Sequence, residues 1–282
     1  MLLPALRIEP PHRSPYLEPR LMTSRPAHPP HAGVALVTGA ADRIGASIAR
    51  RLAASGWAVI VHYRSSRDKA AAVTAEIEAA GGRAALLGAD LADRTARSAL
   101  IAQAAAPFGP LTLLVNNAST FERDAVSDLS EGLWDAHFAV HAEAPAFLAR
   151  DFAAQLPAGA DGNIINIIDA RVLDLTPAYF SYTLSKSVLW TMTRTLAQSL
   201  APRIRVNAVS PGPAVPPPHV SPEAHRKAVA ELPLQRTADG DGIADGVLAI
   251  LSLPSMTGQM LALDGGEHLA WPARRGATPR NK

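Results

Sequence analysis

Tyr182 and Lys186 stand four residues apart, a spacing that puts both side chains on one face of a helix. A cation beside a phenol favours the phenolate and lowers the tyrosine pKa from about 10, as a proton donor working near neutrality requires. Asp169 lies 13 residues earlier at the end of an apolar run. A strand end and the following helix can thus bring carboxyl, phenol and ammonium groups to one substrate. Asp169 equally suits a plainer role, as a cap or turn acid at a strand end.

A second group of residues reads as a phosphate cradle. Thr38-Gly39-Ala40-Ala41-Asp42-Arg43-Ile44-Gly45 joins the first apolar run to the first helical stretch. Glycine allows a tight turn and close approach of backbone to phosphate, and a helix N-terminus offers unpaired N–H groups and a positive dipole end. Gly39, Arg43, Ile44 and Gly45 are therefore candidate coenzyme contacts. After the second run comes His62-Tyr63-Arg64-Ser65-Ser66-Arg67, where an NAD pocket would set an acid on the ribose 2′-hydroxyl. Guanidinium and hydroxyl groups there favour a 2′-phosphate, so Tyr63, Arg64 and Ser65 point to NADP(H). The alternative is a solvated basic loop with Arg64 and Arg67 facing water. Asp90-Leu91 and Asn116-Asn117-Ala118-Ser119 end the third and fourth runs. Asp90 could accept from an adenine amino group, and the asparagines could fix the central strand and the ribose; ordinary turn chemistry accounts for the same residues.

The elements that must position these groups follow from periodicity. Apolar runs at 34–37, 58–61, 84–87, 111–115, 164–168, 205–209 and 260–263 alternate with Ala-rich stretches of helical period at 43–55, 67–80, 95–106, 133–156, 179–200 and 243–253. Continuous apolar strands are buried on both faces, and strands alternating with helices build right-handed βαβ units. The expected architecture is α/β, a doubly wound (Rossmann) parallel seven-stranded sheet with helices on both faces. Its ligands bind at the carboxyl ends of the strands around the topological switch point.

Composition narrows the chemistry further. The chain has 282 residues, 48% hydrophobic, enough for one domain, expected over 32–271. The absence of cysteine excludes disulfides, thiolate metal sites and cysteine nucleophiles. No apolar run approaches the roughly 20 residues needed to cross a bilayer. The formal charge of +2 comes from the ends: 1–31 carry +2 and 272–282 carry +4, leaving −4 on the body. An acidic body argues against nucleic acid as a partner. Residues 1–31, with eight prolines, read as a flexible tail, and 272–282 as a basic one. Met22 is a candidate translation start. A cytoplasmic protein is expected.

Thr38-Gly39 through Gly45, Asn116-Asn117-Ala118, Tyr182-x-x-x-Lys186 and Pro211-Gly212, in that order and spacing, resemble the short-chain dehydrogenase/reductase family over about residues 33–270. The resemblance implies Tyr182 as general acid, Lys186 on the nicotinamide ribose, Pro211 and Gly212 among the coenzyme contacts, and a homotetramer. Arg43 replaces a glycine of the general pattern, Asp169 a serine and His141 an asparagine. Arg43, Ser119, Phe121 and Asp169 resemble the pteridine reductases; His141 with Pro145 and the ending Leu263-Asp264-Gly265-Gly266-Glu267-His268-Leu269 resemble the dihydromonapterin reductase branch. Both reduce pterins with NADPH.

That resemblance makes chemical sense of the departures. Phe121 could cover one face of a flat pterin while the nicotinamide covers the other. Arg43 could bond the pterin and a coenzyme phosphate at once, beside Ser119. Reduction of a ring C=N bond sends hydride to carbon and a proton to nitrogen, for which a carboxyl relay at Asp169 is suited and a serine is not. His141 either orients active-site water or fills space beside Pro145. His137 and His141, read as two surface histidines, lack an evident acidic third ligand, so no metal is expected. Trp190 and Met192 read as core or interface, and 211–235 as the substrate-covering loop. The expected activity is NADPH-dependent reduction of a dihydropterin or dihydrofolate; the alternatives are reduction of a carbonyl such as a 3-oxoacyl thioester, or an inactive NADP(H)-binding sensor.

Overall fold

The computed structural model describes residues 32–216 and 220–269. Both expected tails, the candidate start at Met22, and Pro217 and Pro218 of the loop lie outside the described residues. Seven strands form one sheet: Gly33–Val37 (β1), Trp57–Tyr63 (β2), Arg83–Gly88 (β3), Leu113–Asn116 (β4), Gly162–Ile167 (β5), Ile204–Pro211 (β6) and Met260–Leu263 (β7). Every pairing is parallel, in the order β3-β2-β1-β4-β5-β6-β7. The order reverses between β1 and β4, the place where such a sheet leaves a crevice at its carboxyl edge.

Eight helices among the described residues cover the two faces: Arg43–Ala54 (α1), Arg67–Ala79 (α2), Arg94–Ala105 (α3), Glu131–Phe138 (α4), Ala144–Gln155 (α5), Phe180–Leu200 (α6), Pro222–Ala230 (α7) and Gly240–Leu251 (α8). Successive strand residues point to opposite faces, so β1 serves two cores. Ala35 and Val37 pack with Ile48 and Leu52 of α1 and Ile243 and Val247 of α8, while Val34 and Leu36 pack with Leu100 of α3 and Leu148 and Phe152 of α5. Trp190 and Met192 of α6, partly buried, pack against Ile168, Leu189 and Ala208.

The structure departs from periodicity at four places. The stretch 133–156 is not one helix: a π-turn at Ala139–Glu143 separates α4 from α5, where Pro145 cannot donate an i→i−4 hydrogen bond. β4 starts at Leu113 because the Leu111 backbone is taken up by a side chain, its N–H donating to Gln155 Oε1 at 3.0 Å and its carbonyl accepting from Gln155 Nε2 at 2.8 Å. The segment 211–235 contains α7, which exposes most of its surface and leaves only a weak pattern; the Ser221 hydroxyl caps it by accepting from the Ala224 N–H at 3.1 Å, with Pro222 in its first turn. His137 and His141, expected at the surface, are buried at 0% and 1% exposure, inside the packing of α4, the π-turn and α6.

Candidate active site

The loops after β1, β2, β3, β4, β5 and β6 enclose one cleft of about 560 Å³, large enough for a dinucleotide's reactive end and a small heterocycle. Gly39, Arg43, Ile44, Gly45, Tyr63, Arg64, Ser65, Asp90, Leu91, Asn117, Ala118, Ser119, Pro211 and Gly212 all line it, as do Phe121, Asp169, Tyr182 and Lys186. The candidate catalytic, coenzyme-binding and substrate-binding residues just named are therefore brought to one cavity. Arg67 is not: it opens α2, exposed and off the cleft, so the solvated alternative describes it.

The first loop is held by backbone-directed hydrogen bonds. The Thr38 hydroxyl accepts from the N–H groups of Asn117 and Ala118 at 2.9 and 3.0 Å, and Asn117 Nδ2 donates to the carbonyls of Thr38 and Gly39 at 2.9 and 3.1 Å. The Gly39 N–H donates to His62 Nδ1 at 3.1 Å, with His62 Nε2 on the Ala89 carbonyl; burial holds His62 neutral, its pKa down to about 4. Gly39 has φ +64, and a Cβ on Gly45 would sit 2.3 Å from the Gly39 carbonyl oxygen, so neither position accepts a side chain without rearrangement. Asp42 caps α1, accepting from the Arg43 N–H at 2.8 Å, and pairs with Lys69 at 2.5 Å. The Asp90 carboxylate accepts from the Ala92 N–H at 2.9 Å, an Asx turn. Arg43, also at positive φ, donates to the Val215 carbonyl at 2.5 Å and so ties the first loop to the segment after β6.

The other half of the cleft joins its side chains to one another. The Tyr182 hydroxyl donates to Asp169 Oδ2 at 2.9 Å. Asp169 Oδ1 accepts from the Arg171 N–H at 2.9 Å and from Arg171 Nη1 at 3.3 Å, so the carboxylate is at once the cap of a short 3-10 turn and a partner of the phenol. The turn cap expected of Asp169 is thus present, and the same carboxylate lies beside the phenol. Lys186, buried, donates to the Ile167 carbonyl at 2.9 Å; burial depresses its pKa to about 8 against the pull of Asp169.

One expectation is corrected here. Lys186 was expected to lower the Tyr182 pKa, yet that pKa lies well above its ordinary value. Burial of the phenol is the largest cause, and the Asp169 charge and hydrogen bond act in the same direction. The ammonium is directed at a backbone carbonyl, 5.8 Å from the Tyr182 ring centre.

The lining residues that were not anticipated include Tyr179, Arg171 and Glu267. Tyr179, at φ +58 just before α6, stacks on Phe121 at 4.5 Å, while Phe121 meets Tyr182 edge-on at 4.8 Å. One face of Phe121 is thus already covered by protein. Arg171 lies 5.3 Å from the Phe121 ring centre and 4.9 Å from that of Tyr179. Glu267, in the 3-10 turn after Gly265-Gly266, faces the same space; burial raises its pKa to about 7, opposed by Arg171. The spacing of Tyr179 three residues before Tyr182, and of Arg171 two after Asp169, was the available signal.

Residues 39–268 match the family described as enoyl-(acyl carrier protein) reductase. The chain belongs to the short-chain dehydrogenase/reductase family. Among solved structures, the chain is 47% identical to the FolM alternative dihydrofolate reductase 1 of Brucella canis complexed with NADP, covering 88% of this chain and 96% of that one with a TM-score of 0.81. The Brucella suis FolM alternative dihydrofolate reductase 1, also with NADP, is 48% identical over 88% and 97% of the two chains with a TM-score of 0.83. A curated relative, the 3-oxoacyl-[acyl-carrier-protein] reductase FabG of Staphylococcus aureus, is 32% identical over 83% of this chain and 98% of its own length. No helix among the described residues is long and apolar enough to cross a membrane.

Proposed function

We propose that this reductase uses NADPH to reduce a C=N bond of a dihydropterin or dihydrofolate. The observation that carries the reading is the hydrogen bond from the Tyr182 hydroxyl to Asp169 at 2.9 Å inside the cleft. A carbonyl reductase needs a donor beside its tyrosine to bind the substrate oxygen; a carboxylate serves a ring rich in N–H groups. The likeness to two FolM alternative dihydrofolate reductases supports the same substrate class.

The cleft suits NADP(H). Gly39 and Gly45 leave room for backbone close to a pyrophosphate at the α1 N-terminus, Arg64 and Ser65 provide donors where a 2′-phosphate would lie, and no acid stands among 62–66 to repel it. Tyr63, Asp90, Leu91, Asn117, Ala118, Pro211 and Gly212 would complete that half. NADPH, when bound, supplies the hydride. Tyr182 holds the proton as a neutral phenol, because its raised pKa keeps it protonated at neutral pH. Asp169, 17% exposed, connects the phenol toward solvent for its reprotonation, with Arg171 compensating the carboxylate charge. Lys186 would engage the nicotinamide ribose. Phe121, Ser119 and Arg43 would border the substrate.

The test follows NADPH consumption at 340 nm with dihydromonapterin, dihydrobiopterin, dihydrofolate and a 3-oxoacyl thioester side by side. Turnover of one of the first three, at least about tenfold above the thioester in kcat/KM, is expected. A preference for the thioester, as the FabG likeness would suggest, overturns the reading. Binding of NADPH without turnover of any of them would make the chain a sensor instead. We extend the proposal to a cytoplasmic homotetramer, in which Phe147, Leu184 and Val188, exposed on α5 and α6, are apolar side chains an interface would cover.

A further inference from the structure

Behind Ser119 lie two buried histidines, each bonded to a serine of α6. His137 Nδ1 meets Ser181 Oγ at 2.7 Å, and one turn on His141 Nδ1 meets Ser185 Oγ at 2.8 Å. The rings stack with centres 5.7 Å apart, and both present themselves edge-on to Tyr182. His141 Nε2 faces outward, 2.9 Å from Ser119 Oγ and 3.3 Å from the Thr120 backbone nitrogen.

The partners determine where each proton sits. Ser185 spends its only hydroxyl proton on the Tyr182 carbonyl at 2.7 Å, so at His141 Nδ1 it can only accept, and Nδ1 must carry hydrogen. A backbone N–H is a donor in every protonation state, so the Thr120 N–H requires a lone pair on Nε2. Both conditions select one neutral tautomer, and burial together with the Lys186 charge disfavours the imidazolium. Ser119 then has one proton and three acceptors in reach: His141 Nε2 at 2.9 Å, the Thr120 carbonyl at 3.3 Å and the Tyr182 oxygen. The neutral imidazole lone pair is the strongest acceptor of the three and lies closer than the Thr120 carbonyl, and the phenol proton is already on Asp169.

We propose that His141 is a positioning residue that locks the Ser119 hydroxyl as a hydrogen-bond acceptor toward the cleft. Ser119 and Asp169 then flank Tyr182 as two acceptors, and the site selects substrates that present N–H or NH2 groups over those that present only a carbonyl. The exposed Ser119 gains its fixed polarity from a ring that never touches substrate.

Two measurements test this, the second resting on the dihydropterin reading. In 15N-histidine NMR spectra of the intact protein, with His141 assigned through His141→Phe, the resonance is expected to show protonated Nδ1 and bare Nε2 from pH 5.5 to 8.5. An Nε2-protonated ring, or one that titrates in that range, overturns the lock whatever the substrate is. With dihydropterin and saturating NADPH, His141→Phe and Ser119→Ala are each expected to raise KM about tenfold with kcat within about twofold, the effect of one hydrogen bond. The double variant should be no worse than either alone; a further tenfold rise means that His141 acts independently of Ser119 and overturns the proposal. If no dihydropterin is turned over, the substrate reading fails and the tautomer experiment still decides the lock.

Discussion

The two halves of the cleft spend their polar groups differently. On the side of β1 and β2, Thr38, Asn117 and His62 are consumed in holding backbone, which leaves main chain and the side chains of Arg43, Tyr63, Arg64, Ser65 and Asp90 to face a ligand. On the side of β5 and α6, Asp169, Tyr182, Arg171 and Glu267 bond or face one another, and two pKa values, those of Lys186 and Glu267, are moved to about 8 and about 7. The first half is a rigid mould whose specificity is in its shape; the second is a set of titrating side chains whose specificity is in its hydrogen-bond polarity. Substitutions should therefore cost stability and coenzyme binding on one side, and rate on the other.

The sharpest break would come from Tyr182→Phe. Loss of the proton donor is expected to lower kcat about 10³-fold, within the usual span for general acids, with the melting temperature nearly unchanged. Thermal melts beside steady-state rates check this; a variant that keeps a tenth of its activity would remove Tyr182 from the chemistry. Asp169→Ser comes next, with dihydropterin turnover expected to fall about 10²-fold while NADPH binding stays within a few-fold. Ketone turnover rising in the same variant would sharpen the contrast between a carboxylate and a hydroxyl beside the phenol.

On the mould side, Gly45→Ala puts a methyl 2.3 Å from the Gly39 oxygen and 2.5 Å from Asn117 Nδ2. A destabilisation of about 1–3 kcal/mol is expected, together with weakened NADPH binding, measured by denaturant titration and fluorescence quenching. Unchanged stability would mean the loop is more compliant than its hydrogen bonds suggest.

The smallest effect is a pH dependence. Burial raises Glu267 from 4.5 to about 7, so its contribution to stability is fully present below pH 4.5 and is lost as pH rises through about 7. Melting temperatures of the wild type and Glu267→Gln, taken from pH 4 to 8, should diverge across that window, the wild type losing ground as pH rises. Parallel curves would show that Glu267 is well solvated in the folded protein.

Much of this was legible beforehand, for reasons visible in particular residues. The runs at 34–37 and 58–61 are continuous and apolar, so a strand buried on both faces was the natural reading, and β1 and β2 contain them. The helix over 133–156 was read from a period that the π-turn interrupts without altering composition, and α7 buries no residue that a periodic pattern could register. At the site, Tyr182 and Lys186 were found by spacing. Tyr179, Arg171 and Glu267 were not, because their roles come from neighbours distant in the chain: Tyr179 against Phe121, and Glu267 beside Arg171.

The linear order of residues by itself determined the α/β class, the strand-end loops that hold the chemistry and the spacing of phenol and ammonium, since these depend on local periodicity and chain geometry. Only the tertiary structure decided how the groups are charged and which way their protons point. The raised pKa of Tyr182, the ammonium turned to the Ile167 carbonyl and the single tautomer of His141 arise from desolvation and from partners brought together across α4, the π-turn, β5 and α6. Such terms vary with distance and burial in three dimensions, and the order of residues along the chain does not specify either until it has folded.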